Sequence, residues 1–364
     1  MNDAYPQLKA LGERNHHMAS KATSDVLERF VRYCEVPSQS DPRTATAVPS
    51  TPAQVDMARV VASDLRDLGA KNVTLDEHAY VTAHWPASAG AEKCPTLAFC
   101  CHLDTAWQTY GSPVHPQVKR YEGGRMVLGR GRDGAEVALD PVSNPELTGL
   151  VGEDLVTTDG TSLLGGDDKA AVAMVVSLLA RLAENPSIPH PALALAFVPD
   201  EEIGHGASLL DLEKLGAAWG YTVDGEALGE FNYETFNAAE ALVRVRGVMV
   251  HPGSAKDVMV NAIAVAAEFD QLVPAAERPE HTSGREGFYH PTVIRGTASE
   301  LTLSYIVRDH DAEKFSQRQQ TLKDIAAFLN RRYGEGTVTV SVREQYRNMA
   351  EKIRPDYMHL VENA

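Results

Sequence analysis

The sequence predicts an α/β fold: a mostly parallel mixed sheet covered by helices, with an inserted ferredoxin-like α+β layer. Three observations predict it. Short continuous apolar runs, "TLAFCC" at 96–101 and "ALALAFV" at 192–198, read as strands buried on both faces. They alternate with helix-period segments, which argues for βα crossovers. From about residue 237 the pattern changes to strand, helix, strand, strand, helix, strand, the order of a small ferredoxin-like unit.

Taken in order, residues 1–22 read as a loose leader. A helix follows, capped by Ser24, with Val26, Leu27, Phe30, Val31 and Tyr33 on its apolar side. Residues 36–50 are rich in Ser, Pro and Thr and form a loop. A second helix covers 50–70, capped by Ser50 or Thr51 and ended by Gly69. "NVTLDE" and "AYVTAHW" are short strands. Residues 108–156 carry many Gly and Pro and little periodicity, so they read as an irregular excursion with room for one small hairpin. Gly165 and Gly166 then precede a helix that buries Val172, Val175, Val176, Leu179 and Leu182. "WGYTVDGE" is a further strand, ending at Asp224.

The first domain is thus read as 23–236 and the inserted one as 237–346. In the insert, "ALVRVRGVMV" alternates as a strand. "DVMVNAIAVAAEFDQLV" is an amphipathic helix, and "TVIRGTASELTLSYIVRDHD" holds two strands around a turn. "AEKFSQRQQTLKDIAAFLNRRY" is a long helix and "TVTVSVRE" a strand. Residues 347–364 begin a return to the first domain.

Composition bounds the function. A length of 364 residues suffices for two cores. Asp and Glu number 50 against 34 Lys and Arg, a net charge of −16. That argues against nucleic acid and against an anionic membrane surface as partners. Four cysteines without CxxC spacing argue against a disulfide framework and for a reducing compartment. Cys100 and Cys101 are adjacent and would point to opposite faces of a strand. There is no apolar signal core, and the run at 170–180 is too short to span a bilayer. The expected location is cytoplasmic.

The chemistry gathers where apolar elements end. One gives His102 and Asp104, the next Asp167 and Asp168, the third Asp200, Glu201 and Glu202, the fourth Asp224. In an open α/β sheet, ligands bind beyond the carboxyl ends of the strands. Carboxylates crowded on one rim raise one another's pKa, and divalent cations relieve the repulsion. Histidine and carboxylate donors suit zinc, with manganese and cobalt as alternatives. Each motif alone has a plain reading. His-x-Asp and "PDEE" serve as solvated turns, and "GGDDKAA" as a helix start, where acids favour the dipole. Their combination in this order is the more specific signal.

"LAFCCHLDTA", "LLGGDDKAA" and "AFVPDEEIGHGA" resemble the three signature segments of the co-catalytic zinc peptidase family, which includes carnosinase, succinyl-diaminopimelate desuccinylase and carboxypeptidase G. "TTDGTSLLGGDDKA", "YTVDGEALGE", "VHPGSAKDVMVNA", "EGFYH" and "YIVRDHD" resemble its peptidase T branch, the aminotripeptidases, over about residues 24–352. The resemblance implies a zinc exopeptidase-like catalytic domain with the insert as a lid. It implies two zinc ions per subunit. His102, Asp167 and Asp224 would hold one; Asp167 would bridge to the second, bound also by Glu202. Asp104 would orient the ring of His102, and Glu201 would be the general base. In the lid, His251 would meet the oxyanion, Asn261 would orient the peptide and Arg308 would grip its carboxylate. The expected reaction is removal of the N-terminal residue from tripeptides. Alternatives are a deacylase or dipeptidase on the same scaffold, or a truncated inactive remnant. The last arises because the chain ends at Ala364, before the family's Gly-rich segment and the C-terminal histidine of the second zinc site. The resemblance therefore implies a weakened second site and weak activity.

Overall fold

The computed structural model describes residues 25–107, 113–225 and 230–361. The leader and the expected cap Ser24 lie outside them. Two compact units divide the chain, Met1–Glu226 and Ala227–Ala364.

Unit 1 opens with helix α1 over 25–34, in which Tyr33 and Cys34 are fully buried. Helix α2 (Ala53–Asp67) buries Met57, Ala58, Val61, Ala62 and Leu65, the three-and-four spacing of one helix face. Its N-cap is Pro52, with no side-chain cap bond. The expected cap Ser50 is engaged elsewhere, as described below. Strands β1 (Lys71–Leu75) and β2 (Val81–Trp85) form an antiparallel pair, and β3 (Leu97–His102) follows.

Between β3 and the next long helix lies the excursion. It holds two nested hairpins rather than one: β4 (Gln117–Arg120) pairs with β7 (Asp154–Thr157), and β5 (Met126–Arg130) with β6 (Glu136–Leu139). These strands have only one buried residue among them, Thr157. They therefore carry no apolar alternation for a sequence reading to find. A Cβ on Gly129 would sit 2.1 Å from the Asp159 carbonyl oxygen, so only glycine lets the inner hairpin approach the 158–162 turn. The excursion leaves the sheet at Thr105 and returns at Gly165. There φ is +76°, and a Cβ would lie 2.7 Å from Thr105 Cγ2.

Helix α3 (Gly166–Glu184) buries Val172, Val175, Val176, Leu179 and Leu182, the five residues expected. Strand β8 (Leu193–Val198) is buried at all six positions. Helix α4 (Leu212–Leu215) and strand β9 (Trp219–Thr222) complete the unit. The sheet order is β1-β2-β8-β3-β9. It is mixed: β8–β3 and β3–β9 are parallel, whereas β1–β2 and β2–β8 are antiparallel. One core packs Met57, Val61 and Leu65 with Val172, Val176, Leu195, Phe197 and Cys101. Ala98, Ala194, Ala196 and Leu215 form a second, with Cys100 against it. The two cysteines thus serve different cores.

Unit 2 runs β10 (Asn237–Arg246), α5 (Ala262–Leu272), β11 (Phe288–Gly296), β12 (Glu300–Asp309), α6 (Ala312–Tyr333), β13 (Val338–Tyr346) and α7 (Ala350–Val361). Its sheet order is β11-β12-β10-β13, antiparallel throughout. On β12, Leu301, Leu303, Tyr305 and Val307 are buried at every second position, and they pack with Phe269, Phe315, Leu322 and Leu329. Helix α6 covers the segment expected; its cap Asp311 accepts the N–H groups of Glu313 and Lys314, both at 2.9 Å. Helix α5 starts five residues later than the periodicity suggested, at Ala262. Asn261 caps it there, and Val260 is bridged to Val248 instead of turning helical. No helix among the described residues is long and apolar enough to cross a membrane.

Candidate metal centre

Parallel pairing brings three chain ends to one rim. His102 closes β3 in register with Val198 of β8, and Cys100 of β3 is in register with Thr222 of β9. The chain leaving β8 carries Asp200, Glu201 and Glu202, and the chain leaving β9 carries Asp224. Asp167 and Asp168 arrive from the start of α3, in non-helical conformation and joined by a cis peptide.

His102 is the centre of the group and is 2% exposed. Its Nδ1 lies 3.0 Å from the Asp104 carbonyl oxygen and 3.3 Å from Asp104 Oδ1. That leaves Nε2 facing forward, 2.8 Å from Asp167 Oδ1 and 4.0 Å from Asp224 Oδ1. Ligand atoms of His102, Asp167 and Asp224 all lie within 4.8 Å of one another. An imidazole nitrogen occupied on one side and open to carboxylates on the other is how metal-binding histidines are held.

Electrostatics describe the same cluster. Burial opposes the charged form of His102, but the Asp104 and Asp167 carboxylates outweigh it and push the imidazole up to about 11. Hydrogen bonding to that imidazole holds Asp167 below the usual carboxylate range. Burial, then the charge of Asp167, raises Glu202 to about 7. Burial likewise raises Asp224 and Glu201, with neighbouring acids adding to it. Glu202 stands outside the three-residue group yet feels Asp167 directly.

Asp104 is fully buried, and its carboxylate accepts the backbone N–H groups of Glu201 (2.9 Å) and Glu202 (3.2 Å). It therefore ties β3 to the acidic turn besides facing the ring of His102. Asp168, for which the sequence suggested no separate role, accepts the backbone N–H of His102 at 2.9 Å, and burial lifts its carboxyl to about 8. Lys169, next to Asp168, is 1% exposed and donates to the Val36 carbonyl.

In unit 2, His251 is exposed and its Nδ1 accepts the Gly253 N–H at 3.1 Å. Asn261 Oδ1 accepts the Ile263 N–H at 2.9 Å. Arg308 Nη1 donates to the carbonyls of Ala239 (3.1 Å) and Val307 (3.0 Å), and its guanidinium lies 5.8 Å from the Tyr346 ring centroid.

Residues 233–337 match the family model described as a peptidase dimerisation domain. A peptidase T from Geobacillus thermodenitrificans is 46% identical over 341 residues, covering 93% of this chain and 82% of that protein. The crystal structure of aminopeptidase PepT from Bacillus cereus aligns with a TM-score of 0.67 at 21% identity, over 89% of this chain and 76% of that one. A Bacillus subtilis structure, described as a dinuclear metal binding peptidase of the M20 family, aligns at 0.57 and 13% identity, over 90% and 76%. These structural likenesses show a shared fold.

Proposed function

This chain belongs to the peptidase T family, and from that premise we propose that it is a zinc-dependent aminopeptidase that removes the N-terminal residue from tripeptides. The observation that carries the reading is the convergence of His102 Nε2 and the Asp167 and Asp224 carboxylates within 4.8 Å. One imidazole nitrogen and carboxylate oxygens are a donor set that fits zinc. His102, Asp167 and Asp224 would hold one ion, and Asp167 with Glu202 a second. Bound there, zinc would supply Lewis acidity toward a peptide carbonyl and toward water.

The chain's own groups do the rest. Asp104 fixes the backbone of Glu201 and Glu202, so both carboxylates leave a turn that is held in place. Glu201 accepts the proton of the attacking water and later delivers it to the leaving amine. The reading extends to His251, Asn261 and Arg308 of unit 2, for the oxyanion, the peptide and its C-terminal carboxylate. The planar guanidinium of Arg308 suits a carboxylate because it offers two parallel donors. Short peptides with a free N-terminus are the proposed partners. The cytoplasm is the proposed compartment, in keeping with four cysteines that form no disulfide.

The test compares trialanine with N-acetyl-trialanine on zinc-loaded protein. Only the free peptide is expected to be cleaved, and Glu201→Gln is expected to lower kcat by about 10²- to 10⁴-fold while metal stays bound. Equal turnover of both peptides would replace the aminopeptidase with a deacylase. Failure to cleave either, with zinc bound, would remove the peptidase reading.

A further inference from the structure

The acidic turn is gripped from two sides, and the second grip comes from a helix that contributes nothing else to the rim. Asp200 is fully buried and has φ of +56°, a conformation that non-glycine residues rarely adopt. Gln54, in the first turn of α2 and fully buried, brackets it with both ends of one carboxamide. Its Oε1 accepts the Asp200 N–H at 3.0 Å, and its Nε2 donates to Asp200 Oδ1 at 2.6 Å. The Ser50 N–H donates to Asp200 Oδ2 at 2.7 Å, and the Ser50 hydroxyl donates to Oδ1. Further along, the Gly204 N–H reaches the Glu201 carbonyl at 2.7 Å, and the His205 N–H reaches that of Asp200 at 2.9 Å. Asp104 holds the two N–H groups between. The backbone of the turn is thus bonded on every side, and the Glu201 and Glu202 side chains are what it presents.

We propose that Gln54 and Ser50, acting through Asp200, are positioning residues that aim Glu201 and Glu202. A buried left-handed aspartate is an odd choice if the only purpose is to dock α2, since apolar contacts already do that through Met57, Val61 and Leu65. Its effect is to turn the chain sharply straight after β8, so that the next two residues fall under the Asp104 carboxylate. Remove the carboxamide, and the Asp200 N–H and carboxylate each lose a partner in a buried place. The turn then relaxes toward ordinary backbone, and the two glutamates shift with it. The inference rests on the role proposed above for Glu201.

The test is Gln54→Leu, which keeps the bulk and removes both hydrogen bonds to Asp200, together with the longer ones to the Ser50 and Thr51 hydroxyls. A misplacement of about an ångström is expected to lower kcat on trialanine by about 10- to 100-fold, with KM within about two-fold of wild type. Amide hydrogen exchange in the 199–206 peptide should accelerate while α3 keeps its protection. Ser50→Ala, which retains the Ser50 N–H, should shift both readouts the same way by less. It carries the test if Gln54→Leu does not fold. Wild-type kcat in the variants, or exchange loosened evenly through unit 1, would overturn the proposal. Exchange is read without substrate, which separates the two failures. Local loosening in a chain that cleaves no tripeptide upholds the grip and sinks the peptidase reading. Wild-type cleavage by Gln54→Leu does the reverse.

Discussion

The acids of the unit 1 rim and those packed beside unit 2's helices have different partners. In unit 2, Asp309 is 1% exposed and receives Arg318 Nε at 2.7 Å, and the same guanidinium binds Glu277. Asp270 has Arg278 at 3.0 Å and the Tyr305 hydroxyl at 2.7 Å. In unit 1, the ion pairs described for Asp104, Asp167 and Asp224 all go to one imidazole. Asp168, Glu201 and Glu202 crowd the same rim, their carboxyls raised by burial. Acid neutralised by arginine serves the fold; acid left to repel itself is poised for a cation. The contrast can be broken or sharpened by experiment.

The largest effect is expected at Asp167. Asp167→Ala removes the carboxylate shared by both proposed ions, so peptidase activity should fall by about a thousand-fold or more. Zinc titration should show weaker binding, with little change in the far-ultraviolet spectrum. Retained zinc stoichiometry and activity would show that the rim is not a metal site. Next in size is Arg318→Leu, which strands Asp309 in the interior. A loss of about 3 kcal/mol is expected in denaturant unfolding, because a buried charge is left unpaired. Zinc affinity should not change; if it did, the division between the two kinds of acid would fail.

The smallest effect is one of pH. In the metal-free chain, Asp168 is raised to about 8 and Glu202 to about 7. A carboxyl whose pKa is higher folded than unfolded binds more protons in the folded state between those two values. Stability should therefore fall as pH rises from about 4 to about 8. His102, raised to about 11, works in the same direction: its contribution is full below its unfolded value and fades toward the folded one. The thermal midpoint of the metal-free chain should drop over this range, and added zinc should flatten the slope. A metal-free midpoint that climbs between those pH values would contradict the crowded-acid picture.

Much of this was legible from local pattern. The span of α6 follows from the periodicity of its apolar positions. The acidic rim is findable because strand ends in such sheets point one way, whereas singling out His102, Asp167 and Asp224 within it took the family resemblance. What escaped is long-range or lacks a repeat. Ser50 looks like a helix cap, since serine before a helix usually is one. Its real partner, Asp200, is 150 residues away and leaves no local trace. The backbone bond between Asp168 and His102 spans 66 positions and is equally silent. The outer strands β4 and β7 are too exposed to alternate, so their pairing shows only in three dimensions.

The contact between Thr105 and Gly165 has a wider meaning. The detour between them begins and ends at a single doorway, so its net displacement is almost nil. Whatever is hung outside that doorway can grow, shrink or be exchanged without moving His102 or Asp167 on the threshold. Only the stretch outside that doorway, beyond Thr105 and before Gly165, is then free for other uses. The crowded neck itself tolerates no added methyl group.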